Sequence, residues 1–121
     1  MPDIVKFIGN TGWTNANSFV EAEIERAILR SQNEIVIEFH DEDFKYTVTL
    51  QRSKGNEFSG GFTGTRGSTR VQGRANCKIM FSGRDALLVG TWDEEGESFQ
   101  WWATLEKTDH FPDEKPRPKI K

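Results

Sequence analysis

The residues able to do chemistry are few in this chain, and they fall into two acidic clusters, two histidines, one thiol, a run of arginines and four tryptophans. His40-Asp41-Glu42-Asp43 offers an imidazole and three carboxylates within one turn. It lacks the glycine and the distal bidentate glutamate of a calcium loop. The competing reading is a solvated hairpin loop whose charges block edge pairing. Asp93-Glu94-Glu95 is read the same way. His40 and His110 are the only histidines, and Cys77 the only cysteine. Cys77 shares the apolar parity of Val71, Ala75 and Ile79, which favours an inert buried thiol over a nucleophile. No phosphate loop, zinc spacing, nucleophile elbow or dinucleotide fingerprint is present. The chain is therefore expected not to be an enzyme and to carry no cofactor and no metal.

Charge says more. Residues 58–84 hold Arg66, Arg70, Arg74, Lys78 and Arg84 and no acid, whereas residues 85–114 hold nine acids and one base, Lys107. Arg66, Arg70 and Arg74 recur at one parity, so a strand running through all three would gather them on one face. Guanidinium forks suit carboxylate or phosphate. The alternative is that this stripe pairs with the chain's own acids, Glu97 and Glu106 among them. Trp101 and Trp102 are adjacent, so on a strand they face opposite sides, with Trp92 nearby in the preceding strand. Trp92, Trp101 and Trp102 are thus candidates to line a pocket or a partner surface. In the alternative reading a loop or the N-terminal segment covers the outward ring, and Trp13 is a candidate cover.

The elements that must position these groups are strands. From Glu34 onward the apolar residues alternate at period two. Ile35, Ile37 and Phe39 share a face, then Phe44, Tyr46, Val48 and Leu50, then Val71, Gly73, Ala75, Cys77, Ile79 and Phe81, then Phe99, Trp101, Ala103 and Leu105. Turn signals recur about every 10–14 residues without an intervening helical pattern, which indicates consecutive hairpins. Glycine interrupts three of the strands, as where a sheet bends or bulges to close. The fold class expected is all-β, a small antiparallel up-and-down meander curled into a barrel. Residues 18–30 are open between two readings. One is a short N-terminal helix with a Ser18-x-x-Glu21 capping box. The other, which we favour, is a strand with a bulge near Arg26.

The 121 residues suffice for one domain, taken as 2–108. Residues 109–121 hold three of the four prolines and end in Lys115-Pro116-Arg117-Pro118-Lys119-Ile120-Lys121, and read as an extended basic tail. The formal charge of −3 argues against a dedicated nucleic-acid coat. No secretory or membrane-spanning segment is visible, so the expected compartment is the cytoplasm.

The phrases Phe62-Thr63-Gly64-Thr65 and Gly90-Thr91-Trp92, followed by Gly96 and Phe99, resemble hairpins of calycin barrels of the avidin and lipocalin type. In avidins the Gly-x-Trp phrase precedes the Phe-Thr-Gly-Thr phrase, and here it follows. The resemblance therefore implies the architecture of an up-and-down barrel and no biotin contact. Two functional expectations result. The first is a non-catalytic interaction module that contacts a protein partner or an anionic ligand through Arg66, Arg70, Arg74 and the exposed aromatics. The alternative is a small-molecule carrier or sensor that uses the barrel interior.

Overall fold

The computed structural model describes residues 4–111. Eight strands follow one another: β1 (Ile4–Asn15), β2 (Ser18–Arg30), β3 (Glu34–Asp41), β4 (Phe44–Lys54), β5 (Glu57–Arg66), β6 (Thr69–Ser82), β7 (Asp85–Glu94) and β8 (Glu97–Lys107). Each pairs antiparallel with the next, and β8 returns to pair with β1, so the sheet closes. The all-β meander expected from the alternation is the observed fold, and no described residue is helical. Closure removes the unpaired edges that an open sheet would present.

Residues 18–30 form β2, not a helix. Ile24 and Ala27 of β2 face Phe39 and Ile37 of β3, so Glu25 and Arg26 together oppose the single residue Glu38. This bulge switches the inward parity from Val20, Ala22 and Ile24 to Ala27 and Leu29, which rescues a pattern that alternation alone cannot carry.

An eight-stranded barrel is just wide enough for its own side chains. The inward faces stack Phe7, Ile24, Ile37, Phe39, Val48, Leu50, Phe58, Ile79, Leu88 and Trp101 into one continuous core. Gly90 marks a place where the wall bends inward: a Cβ there would stand 1.8 Å from the Asn76 carbonyl oxygen across the β6–β7 pair. Only a residue with no side chain permits that approach.

The two ends of the barrel differ. At one end lie the turns at residues 16–17, 42–43, 67–68 and 95–96; at the other lie the turns at 31–33, 55–56 and 83–84, together with the start of β1 and the end of β8. The first end is plugged by aromatic rings. Trp92 stacks with Phe62 (3.8 Å between ring centroids, 16° between planes) and with Trp13 (5.0 Å, 8°), and Tyr46 and Phe39 close around them. Past the last strand the chain turns back. The Thr108 amide donates to the Lys6 carbonyl at 3.0 Å. The Phe111 ring is buried, with the Arg26 guanidinium 4.5 Å from its centroid. The remaining tail, 112–121, lies outside the described residues.

Candidate functional site at the open end

The sequence candidates come to different places. Arg66, Arg70 and Arg74 do not share one strand, because the Gly67-Ser68 turn separates Arg66 on β5 from the other two on β6. Arg66 has the inward parity of Phe62 and Gly64, and its guanidinium sits 4.7 Å from the Phe44 ring centroid at the plugged rim. Arg70 and Arg74 point outward, and Arg74 stands opposite Asp93 on β7. A single arginine face running along one strand is therefore not formed, and the register places Asp93 across from one of its members.

Trp92 and Trp101 are core residues, 0% and 1% exposed, so neither lines an open surface. The Trp92 Nε1–H donates to Glu94 Oε1 at 3.0 Å. Trp13 does not cover an outward ring; it lies inside, against Trp92. Trp102 is the one outward ring of the three candidates. It is half-buried because it lies over Gly12 of β1, where a Cβ would stand 2.6 Å from the indole.

Nucleophilic chemistry finds no support in the arrangement. Cys77 is buried inside the wall, and burial pushes its thiol up to about 12, so it holds its proton at neutral pH. His40 has the outward parity of β3, and its Nδ1 is hydrogen-bonded to Glu25 Oε2. The two groups are on opposite sides of the wall. His110 lies beyond β8. Among the described residues no group of three acids, histidines or cysteines is placed to hold a metal ion.

What the structure does form is a bowl at the end opposite the aromatic plug. Its volume is about 600 Å³, with apolar walls from Val5, Phe7, Leu29, Phe58, Ile79 and Phe81. Phe58 and Ile79, each 2% exposed, are the floor. Phe81 continues the inward parity of Cys77 and Ile79, yet it is 52% exposed, because it stands at the rim with open space in front of it. The polar lining comprises Arg52, Lys107, Gln32 and Asn56, and no acid is among the lining residues.

Both cations arrive there by parity. Arg52 extends the inward row Tyr46, Val48 and Leu50 of β4, and Lys107 extends the row Trp101, Ala103 and Leu105 of β8. Each takes the next inward position after the core ends, so each charged head comes to the mouth while its stem lies along the wall. The Arg52 guanidinium is held in place. Its Nε–H donates to the Gln32 carbonyl at 3.0 Å, it also donates to the Gly55 carbonyl, and it rests 5.1 Å from the Phe58 ring centroid. It thereby ties the β2–β3 turn to the β4–β5 turn. A second depression, about 560 Å³, lies on the outer wall beside Met80, Leu87 and Thr104, with Asp85 and Glu106 in its lining.

The plugged end carries the opposite charge. Asp41, Glu42, Asp43, Glu94, Glu95 and Glu97 flank its turns, against Arg66. Partial burial and the neighbouring Glu42 charge raise the Asp41 carboxyl above the usual range. No family model, no curated protein and no solved structure matches the chain.

Proposed function

We propose that this barrel is a non-catalytic binding protein whose ligand enters the open mouth, and that the ligand is a small amphipathic molecule with an apolar body and an anionic group. The observation that carries this reading is the bowl itself: an inward-parity phenylalanine left half-exposed above a buried apolar floor. Apolar walls with a few convergent polar groups are the usual make-up of a small-molecule site. Arg52 and Lys107, with no acid beside them in the lining, favour a carboxylate, sulfate or phosphate at the entrance. The likeness to calycin barrels, which hold small ligands, supports the same reading. The interior beyond the bowl is filled by side chains, so the ligand would sit at the mouth and not along the barrel axis.

Titration with the fluorescent apolar anion 1-anilinonaphthalene-8-sulfonate tests this. The expected result is saturable one-to-one binding that Phe81→Asp abolishes while the melting temperature stays within a few degrees, since position 81 is exposed. Equal binding by the native chain and Phe81→Asp would remove the mouth as the site.

A further inference from the structure

We propose that the plugged end of the barrel docks a basic segment of a partner protein, whose lysine or arginine side chains bridge the acids of the β3–β4 and β7–β8 turns over the Tyr46 hydroxyl. This concerns the end opposite the bowl, and it stands whether or not a ligand enters the mouth.

Three observations converge on it. The first is where the acids stand. Asp41 takes the next inward position of β3 after Ile35, Ile37 and Phe39, and Glu94 takes the next of β7 after Trp92, so both are partly buried above the aromatic plug. The Trp92 indole holds Glu94 there through its Nε1–H. Glu97 begins β8 directly opposite Glu94, and Glu42, Asp43 and Glu95 lie in the turns. Like charges set opposite one another cost stability, and a cation bound between them would relieve that cost.

The second is a hydroxyl among them that nothing in the fold engages. The Tyr46 side chain is 5% exposed, with its ring packed against Phe39 and Trp92. Its hydroxyl reaches the surface at this end and has no hydrogen-bond partner among the described residues. Burial, and then the charges of Glu94, Asp41, Glu95 and Glu42, raise the phenol above its usual range, so the acids of both turns act on this one group. The hydroxyl oxygen can accept from an ammonium or guanidinium that the carboxylates attract.

The third is the lack of a local counter-charge. Lys45, Arg70 and Arg74 have the outward parity of β4 and β6, and Arg66, which has the inward parity, lies over the Phe44 ring. Among the described residues none of these carboxylates is in an ion pair. Trp92 and Phe62 stack at 3.8 Å and fill this end, so an occupant lies across it and not within it. The two acidic turns stand on opposite sides of the closed sheet. That span suits an extended segment with several cations better than one small ammonium, and a concentrated field of one sign also speeds the encounter.

The test is fluorescence anisotropy of a labelled hexalysine peptide titrated with the full chain. Saturable binding that weakens as salt is raised is expected, and methylammonium at equal charge should not displace the peptide. Asp41→Asn/Glu94→Gln should weaken binding by about tenfold or more, because charge-assisted bonds are lost. Its melting temperature should hold or rise, because repulsion between the acids is relieved. Tyr46→Phe removes only the unengaged oxygen, so it should weaken binding several-fold while the melting temperature is kept. Glu21→Gln/Glu23→Gln removes as much charge from the outer wall of β2 and should leave binding unchanged. No binding, equal displacement by methylammonium, native affinity in Asp41→Asn/Glu94→Gln or in Tyr46→Phe, or an equal loss in Glu21→Gln/Glu23→Gln would overturn the proposal.

Discussion

Trp101 and Thr11 meet across the seam of the barrel, where the indole Nε1–H donates to Thr11 Oγ1 at 2.7 Å and the same hydroxyl donates onward to the Trp102 carbonyl at 2.8 Å. Thr11 is the one buried polar side chain among the described residues, and no buried side-chain nitrogen or oxygen there lacks a partner. The hydroxyl therefore satisfies the core indole and joins β1 to β8 beyond the backbone ladder.

Thr11→Val keeps the shape and removes the acceptor, which leaves a buried N–H unsatisfied. Such a loss costs about 1–3 kcal/mol. Urea titration should show a lower midpoint with an unchanged slope, since the folded and unfolded surfaces are otherwise the same. A midpoint equal to the native one would mean that the hydroxyl is not required.

At the mouth, decanoate should displace the fluorescent probe better than decanol does, because only the acid offers a charge to Arg52 and Lys107. A charge-assisted hydrogen bond contributes about 1.5–3 kcal/mol, or about tenfold and upward in affinity. Lys107→Gln should narrow the decanoate-to-decanol ratio without abolishing binding of either. An unchanged ratio would separate the two ideas: the bowl would bind by its apolar walls, with no selection for charge.

Gly90→Ala should destabilise the barrel by more than the ordinary cost of a wall substitution. The added methyl would meet the Asn76 carbonyl oxygen at 1.8 Å and the Cys77 Cα at 2.6 Å, both backbone atoms that cannot step aside alone. Gly83→Ala, at a turn with φ +61° and nothing within 4 Å, tests backbone strain without a collision. Thermal melts of the two should show the larger loss at position 90.

Alkaline pH should weaken the fold. Burial raises the Cys77 thiol from 9.0 to about 12 in the folded chain, so the unfolded chain loses its proton first. Burial and the acids Glu94, Asp41, Glu95 and Glu42 raise the Tyr46 phenol also. For Cys77 the stabilising difference is complete below the unfolded value and declines as pH rises through the window from about 9 to about 12, and for Tyr46 the decline begins near the ordinary phenol value of 10.0 and continues above it. Native Cys77 should stay unreactive toward a thiol reagent at pH 8 and react as soon as urea unfolds the chain; fast native labelling would contradict its burial.

The sequence revealed those strands whose faces alternate cleanly. Phe44, Tyr46, Val48 and Leu50, and Trp101, Ala103 and Leu105, point inward as their spacing indicates, and the β2 bulge falls where the parity breaks. β1 was opaque because its inward row runs Phe7, Gly9, Thr11 and Trp13 while Ile8 faces outward, so hydropathy does not alternate. The arginine stripe failed at a turn: parity counts through Gly67-Ser68 as though the strand continued, and a hairpin resets it. The mouth has a readable signal, since Phe81 ends the inward row of β6 and Arg52 and Lys107 each extend an apolar inward row by one step. That those three positions meet around one bowl is a property of closure, which places β4, β6 and β8 on different sides of the same opening and which no single strand encodes.

Closure also sets when the molecule can exist. The bond that seals the seam joins residues 90 positions apart, and β1 has no second neighbour until β8 arrives. A chain emerging from the ribosome N-terminus first must carry β1 with one side of its backbone unpaired until Lys107 is free. Pairing so distant in sequence makes for a high contact order and slow folding, on the scale of milliseconds to seconds for all-β domains. The interval before the last hairpin docks is when the nascent chain is most open to strand exchange with another copy, and when a holding chaperone would matter most.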